Sequence, residues 1–277
     1  MRLRPFIGWA VFFFLAAIIA QAVPSVTGSY YFLKGKSYFA SGDFEAAAAA
    51  YERSVGSDPK FARGYIELGS SYQALEKYAQ AEDAFRKAVA IHDDSCGQCG
   101  LGESLHKLGR NEEAELALKK AIALNPGDRC GFNRLGRMYY EMERYPEAIE
   151  AFQNDVKIRP TTLSYHFLAT CYVYTDKHEE GVAAYREILK LDPEYPEVYF
   201  PLAHALNYLG RKEEAIDAYQ RAIKEDPDNS EARLWLGYAE AERGNEKAAR
   251  EQYEALRKLN PKNAESLRGQ IRRHFDN

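Results

Sequence analysis

Most of the groups that would mark this chain as an enzyme are missing. No glycine-rich phosphate loop, nucleophile elbow or paired-carboxylate cleft can be placed, and the six histidines (His92, His106, His166, His178, His204, His274) include no HExxH and no closely spaced pair. A basic stripe is absent too. With 37 Lys and Arg against 41 Asp and Glu the formal charge is -4, which excludes the cationic footprint that nucleic acid demands. Cysteine is scarce, at four residues, and none stands directly after the N-terminal apolar run, which argues against a lipoprotein. Disorder is excluded as well, because 46% of the residues are hydrophobic and 28% charged.

What is present is periodic. In the stretch Tyr199 to Pro227, the positions Tyr199, Leu202, Ala203 and Leu206 mark one face of a helix, and Leu209-Gly210-Arg211 supplies a turn. A second helix carries Ala215, Ile216, Tyr219, Ala222 and Ile223, and Asp226-Pro227 stops it. The same stop recurs at Pro59, Asp93, Pro126, Pro160, Pro193, Pro227 and Pro261, at steps of 34, 33, 34, 33, 34 and 34 residues. Counting back from each stop, the eighth position is Gly35, Gly69, Gly102, Gly136, Ala169, Ala203 and Gly237. The twentieth is Ala47, Ala81, Ala114, Ala148, Gly181, Ala215 and Ala249, and the twenty-fourth is large, from Tyr51 and Phe85 to Tyr253. Glycine inside a helix costs roughly 1 kcal/mol against alanine, so its return at one phase predicts a close approach between paired helices.

This 34-residue pattern resembles the tetratricopeptide repeat family over about residues 28 to 261, and it is clearest in the second unit, where Tyr65, Leu68, Gly69, Tyr72, Ala81, Phe85 and Ala88 all fit. Departures are Lys34 for leucine, Gln98 at the first aromatic position of unit three, Asp155 at the third small position of unit four, and Glu240 for tyrosine with Trp235 displaced by two in unit seven. The resemblance implies an all-α, right-handed superhelical solenoid of seven helix-turn-helix units, at about 28–61, 62–95, 95–128, 129–162, 162–195, 196–229 and 230–263. A C-terminal cap helix is expected over 264–277, where Leu267, Ile271 and Phe275 form one stripe.

Residues 1–27 belong to another environment. Arg2 and Arg4 precede the apolar run Phe6 to Ala20, and two readings stand. One is a cleaved export peptide with Ala20-Gln21-Ala22 as the small-x-small site. The favoured one is a retained transmembrane helix over residues 5–23, about 28 Å long at 1.5 Å per residue, because bulky Ile18 and Ile19 crowd the cleavage site. Either reading exports the repeats and places them in the cell envelope, tethered or free in the periplasm or outside. Val23 to Ser29, with Pro24 and Gly28, reads as a short linker.

The resemblance further implies that first helices line a concave groove through their second, fifth, ninth and twelfth positions. Those that map here to a protein or peptide partner are Arg63, Ile66, Ser70, Gln73, Glu103, His106, Asn133, Arg137, Tyr140, His166, Thr170, Phe200, His204, Asn207 and Tyr238. The lysine and asparagine set with which some members grip a chaperone's terminal carboxylate is missing. Cys96 and Cys99 form a CxxC at a helix start, with Cys130 in the next unit and Cys171 in the one after. They read as free thiols used as small residues; a disulfide from Cys130 to Cys96 or Cys99, a zinc site and a redox centre with a lowered thiol pKa are the alternatives. The expectation is an exported scaffold that binds protein segments and assists an envelope complex, with no cofactor and no catalysis. A redox or metal-binding protein and a self-associating module, a homo-oligomer, are the competing classes.

Overall fold

The computed structural model describes residues 26–276, and these are helical hairpins throughout. In chain order they are α1 (26–40), α2 (Phe44–Ser57), α3 (Ala62–Ala74), α4 (Tyr78–Ile91), α5 (Ser95–Lys107), α6 (Asn111–Leu124), α7 (Arg129–Glu141) and α8 (Tyr145–Ile158). They continue as α9 (Thr162–Tyr174), α10 (His178–Leu191), a single 3₁₀ turn (Pro196–Val198), α11 (Tyr199–Tyr208), α12 (Lys212–Glu225), α13 (Ser230–Glu242), α14 (Glu246–Leu259) and α15 (Pro261–Phe275). The chain forms two compact units, one ending at Met138 and the other beginning at Tyr139. The leader over residues 1–25 lies outside the described residues. No helix among those described is long and apolar enough to cross a membrane.

Helix starts are built locally. Asp43, Asp94, Thr161, Asn229, Asn245 and Asn260 each accept a hydrogen bond from the backbone N–H three residues on, satisfying a donor that the helix leaves orphaned. Turns inside the hairpins share one device. Gly42, Glu76, Gly109, Glu143, Asp176, Gly210 and Gly244 all sit at positive φ, between 57° and 85°. Glycine adopts this conformation at no steric cost, whereas an L-residue loses about 1 kcal/mol or more. The three acidic residues therefore carry strain that the four glycines avoid.

The small positions are where the rods touch. In the first unit a Cβ added at Gly35 would lie 2.6 Å from the Tyr51 ring, one at Gly69 2.8 Å from Phe85, and one at Gly102 2.6 Å from Leu118. Ala47, Ala81 and Ala114 across the hairpins are fully buried. In the second unit Ala148, Ala169, Ala203, Ala215 and Ala249 are equally buried, and Tyr185 and Tyr219 fill the space beside them. Gly237 differs, because its face meets Leu267 of α15, 2.4 Å from where a Cβ would stand, in place of the large residue of its own hairpin.

Two expected boundaries move. The linker ends earlier than Ser29, since residues 26–29 are already helical and Gly28, buried, accepts a 2.8 Å hydrogen bond from the Ser54 hydroxyl. The cap helix begins at Pro261, three residues before its expected start, because Asn260 caps it and proline, lacking an N–H, suits the first turn. The proline that ends α14 thus also opens α15.

Candidate functional site

The second unit holds an open cavity of about 550 Å³. Three successive first helices supply most of its lining: His166, Thr170, Val173 and Tyr174 from α9, Phe200, Pro201 and His204 from α11, and Glu231, Leu234 and Trp235 from α13. Tyr185 of α10 and Asn263 of α15 complete it. Helical spacing explains the set, since residues three and four apart on one helix share a face. The expected groove residues His166, Thr170, Phe200 and His204 therefore come together, and Tyr238 stands beside them with its ring 5.6 Å from Trp235. Asn207 is half-buried and not in the lining. Trp235, Leu234 and Glu231 belong to the cavity although phase alone did not select Trp235 or Glu231.

The walls are rings. His204 meets Trp235 edge-on at 5.1 Å, Phe200 lies 6.5 Å from His204 and 6.2 Å from Tyr219, and His166 is 6.2 Å from Tyr185. Burial holds both His166 and His204 below the usual imidazole range, offset in part by Glu197 for the first and Glu231 for the second, while His178 adds to the depression of His204. Nδ1 of His166 is buried without a hydrogen-bond partner. Burial likewise pushes Tyr185 up to about 12, so its hydroxyl, 3.5 Å from Thr170 Oγ1, stays neutral. At neutral pH the cavity thus presents aromatic faces, neutral imidazoles and one carboxylate, Glu231.

The first unit treats its expected groove residues differently. Ile66 is 6% exposed and belongs to the core. Gln73 donates to Gly100 O at 3.1 Å and Ser104 Oγ at 3.0 Å, Ser70 bonds back to Ile66 O, and Arg63 pairs with Glu67 at 2.7 Å. His106 Nδ1 contacts Asn111 at 2.7 Å, and Glu103 pairs with Arg134. Asn133 and Arg137 lie half-buried on α7, as does Tyr140, which belongs to the second unit's share of that helix. Another cavity, about 580 Å³, opens on the side of α2, α3 and α4, lined by Tyr65, Tyr72 and Leu68, where the groove mapping placed nothing.

All four cysteines are free thiols, so no disulfide joins Cys130 to Cys96 or Cys99. The Cys130 thiol is hydrogen-bonded to Cys99, which with burial raises its pKa, and it accepts from Arg134 Nε at 3.2 Å. Cys96 is also raised, first by burial and then by Asp94 and Asp128. That direction is opposite to the lowered thiol pKa of the redox alternative, since burial and then the two carboxylates disfavour the thiolate. Among the described residues no group of His, Cys, Asp or Glu is arranged to hold a metal.

The tetratricopeptide repeat model matches residues 32–95, 99–160 and 200–264, and a second model of the same repeat matches 163–195. Among curated relatives, anaphase-promoting complex subunit 6 of Arabidopsis thaliana is 25% identical over 70% of this chain and 37% of its own. A TPR repeat-containing protein of Pseudomonas aeruginosa is 39% identical over 20% of this chain and 53% of its own, so the chain spans about half or less of either. Among solved structures, the C-terminal part of a TPR repeat-containing protein from Cytophaga hutchinsonii superposes with a TM-score of 0.70, at 18% identity over 85% of this chain and 98% of that one. Pseudomonas aeruginosa pilF gives 0.60, at 20% identity over 75% and 96%, and both likenesses bear on the fold alone. With repeat models covering far more than half of its length, the chain belongs to the tetratricopeptide repeat family.

Proposed function

We propose that the chain is a non-enzymatic scaffold that binds a peptide segment of a partner protein against the first helices of its second unit. The observation that carries this reading is the ring-lined cavity built by α9, α11 and α13, because buried aromatic anchors supply contact area while Thr170, Asn263 and the imidazoles offer hydrogen bonds at its edge. Binding here is equilibrium docking, with no bond made or broken. The Arg2 and Arg4 start followed by the apolar run to Ala20 supports an exported protein tethered to a membrane, with the repeats helping to assemble an envelope complex. Association in a larger assembly also accords with the Arabidopsis relative, which is by name a subunit of a complex.

Photocrosslinking in cells tests the reading. The full chain carrying benzoylphenylalanine in place of Phe200 is expected to form protein adducts in the membrane fraction, and the same group in place of Ala183, exposed on α10, to form few. Equal labelling from both positions would move the partner elsewhere on the surface.

A further inference from the structure

We infer that the cavity of the second unit is selective for a cationic side chain, a lysine or arginine presented by the bound segment, over an apolar one of the same size. This rests on the peptide-binding reading and names the chemistry that fits it. The rings of Tyr185, Phe200, Trp235, His204 and Tyr174 present the walls, and an aromatic face attracts a cation through its negative quadrupole. Not one lysine or arginine is among the residues lining the cavity. The nearest candidate on α13, Arg233, is turned away and held, with Nε donating to Pro227 O at 3.0 Å and Nη1 to Gln252 Oε1 at 3.1 Å.

Charge points the same way. Glu231 is the one charged residue in the lining, and Glu197 acts on His166 from the 3₁₀ turn. Both are exposed, and among the described residues neither makes a salt bridge, whereas Glu179, Glu214, Glu240 and Glu242 of the same unit are each paired with a lysine or arginine. Glu231 opens α13, where a carboxylate also favours the helix dipole. That role does not require rings across from it, and here the carboxylate stands at the rim of an aromatic wall. An apolar occupant would bury the rings equally well but would leave Glu231 without a counter-charge and gain nothing from it.

Trp235 reports occupancy directly. The chain has two tryptophans, Trp9 and Trp235, so the full chain in detergent with Trp9→Phe has a single emitter in the cavity. Short capped alanine peptides with lysine, arginine or norleucine at the centre serve as probes. The lysine and arginine peptides are expected to shift Trp235 emission saturably at concentrations about tenfold below the norleucine peptide. Glu231→Gln, at an exposed position, should weaken the cationic peptides roughly fivefold and leave norleucine unchanged. Equal binding of all three would overturn cation selectivity while keeping the peptide-binding reading. A Glu231→Gln variant with full affinity, or no emission change with any peptide, would also overturn it, and the Phe200 crosslink then decides the peptide reading separately.

Discussion

Asp155 and Glu240 show how a single residue can depart from the repeat and keep the packing. Asp155 is fully buried at a position where its counterparts are small, yet Ser164 donates to its Oδ2 at 2.5 Å and Thr161 donates in turn to Ser164 at 2.8 Å. Glu240 replaces an aromatic residue and accepts from Arg243 Nε at 2.7 Å and Asn245 Nδ2 at 2.9 Å. A buried carboxylate is costly only when its lone pairs are unmet. His166 and His204 are the opposite case, since burial there opposes charge without a full set of partners. His166 faces Glu197, Tyr185 and Tyr195, and His204 faces Glu231, His178, Phe200 and Trp235. Their folded pKa values lie below the ordinary 6.5, so the unfolded chain takes up protons first as pH falls. Stability is therefore full above about pH 6.5 and is lost as pH drops from there through the folded values. Urea midpoints at pH 7.5 and pH 5 should differ more in the wild type than in a His166→Gln, His204→Gln double variant; equal differences would show that the two imidazoles are not the groups responsible.

Among the elements, α15 is the most informative, because it closes the array by filling a glycine's absence from the other side. Leu267 and Ile271 are buried against Ala241, Ala249 and Leu256, and Leu267 occupies the space over Gly237. Truncating it in Leu267→Ala should cost about 2 to 5 kcal/mol. Gly237→Ala alone should also destabilise, by roughly 1 to 3 kcal/mol, since Leu267 is fully enclosed and cannot retreat. In the Leu267→Ala background the same alanine has room and adds helix propensity, so urea unfolding should show a double variant more stable than Leu267→Ala by itself. If the two losses simply add, the contact is not the close one described. The helices and their small-residue seams were legible beforehand, because a 34-residue period and a glycine phase are properties of the chain itself. The start of α15 was not, since Asn260-Pro261 reads equally as the end of one helix and the cap of the next. Nor were the fates of Ile66 and Gln73: phase assigns a residue to a face, but whether that face is open depends on which neighbour reaches across it, here Gly100 and Ser104. Trp235 and Glu231 escaped for the related reason that a cavity is walled by several helices at once.

At the scale of the whole molecule, a repeat array has stability that is approximately a sum over hairpins and the seams between neighbours. Gly69 lies against Phe85 in the first unit and Leu267 against Gly237 in the second, and the two sites share no contacting residue. Gly69→Leu must force a side chain where a single Cβ already comes within 2.8 Å of the Phe85 ring, costing on the order of 1 to 3 kcal/mol. Combined with Leu267→Ala, the losses should add to within about 0.5 kcal/mol, as independent sites do. Circular dichroism through a urea titration reads the helix content of both units together, and two steps would appear once one unit is weakened selectively, since long arrays need not melt as one. Gly69→Leu should then move one portion of the helical signal and Leu267→Ala another. A single transition that both variants shift would mean that the chain folds as one cooperative body, and a partner bound at α9, α11 and α13 would then stabilise the first unit as well as its own.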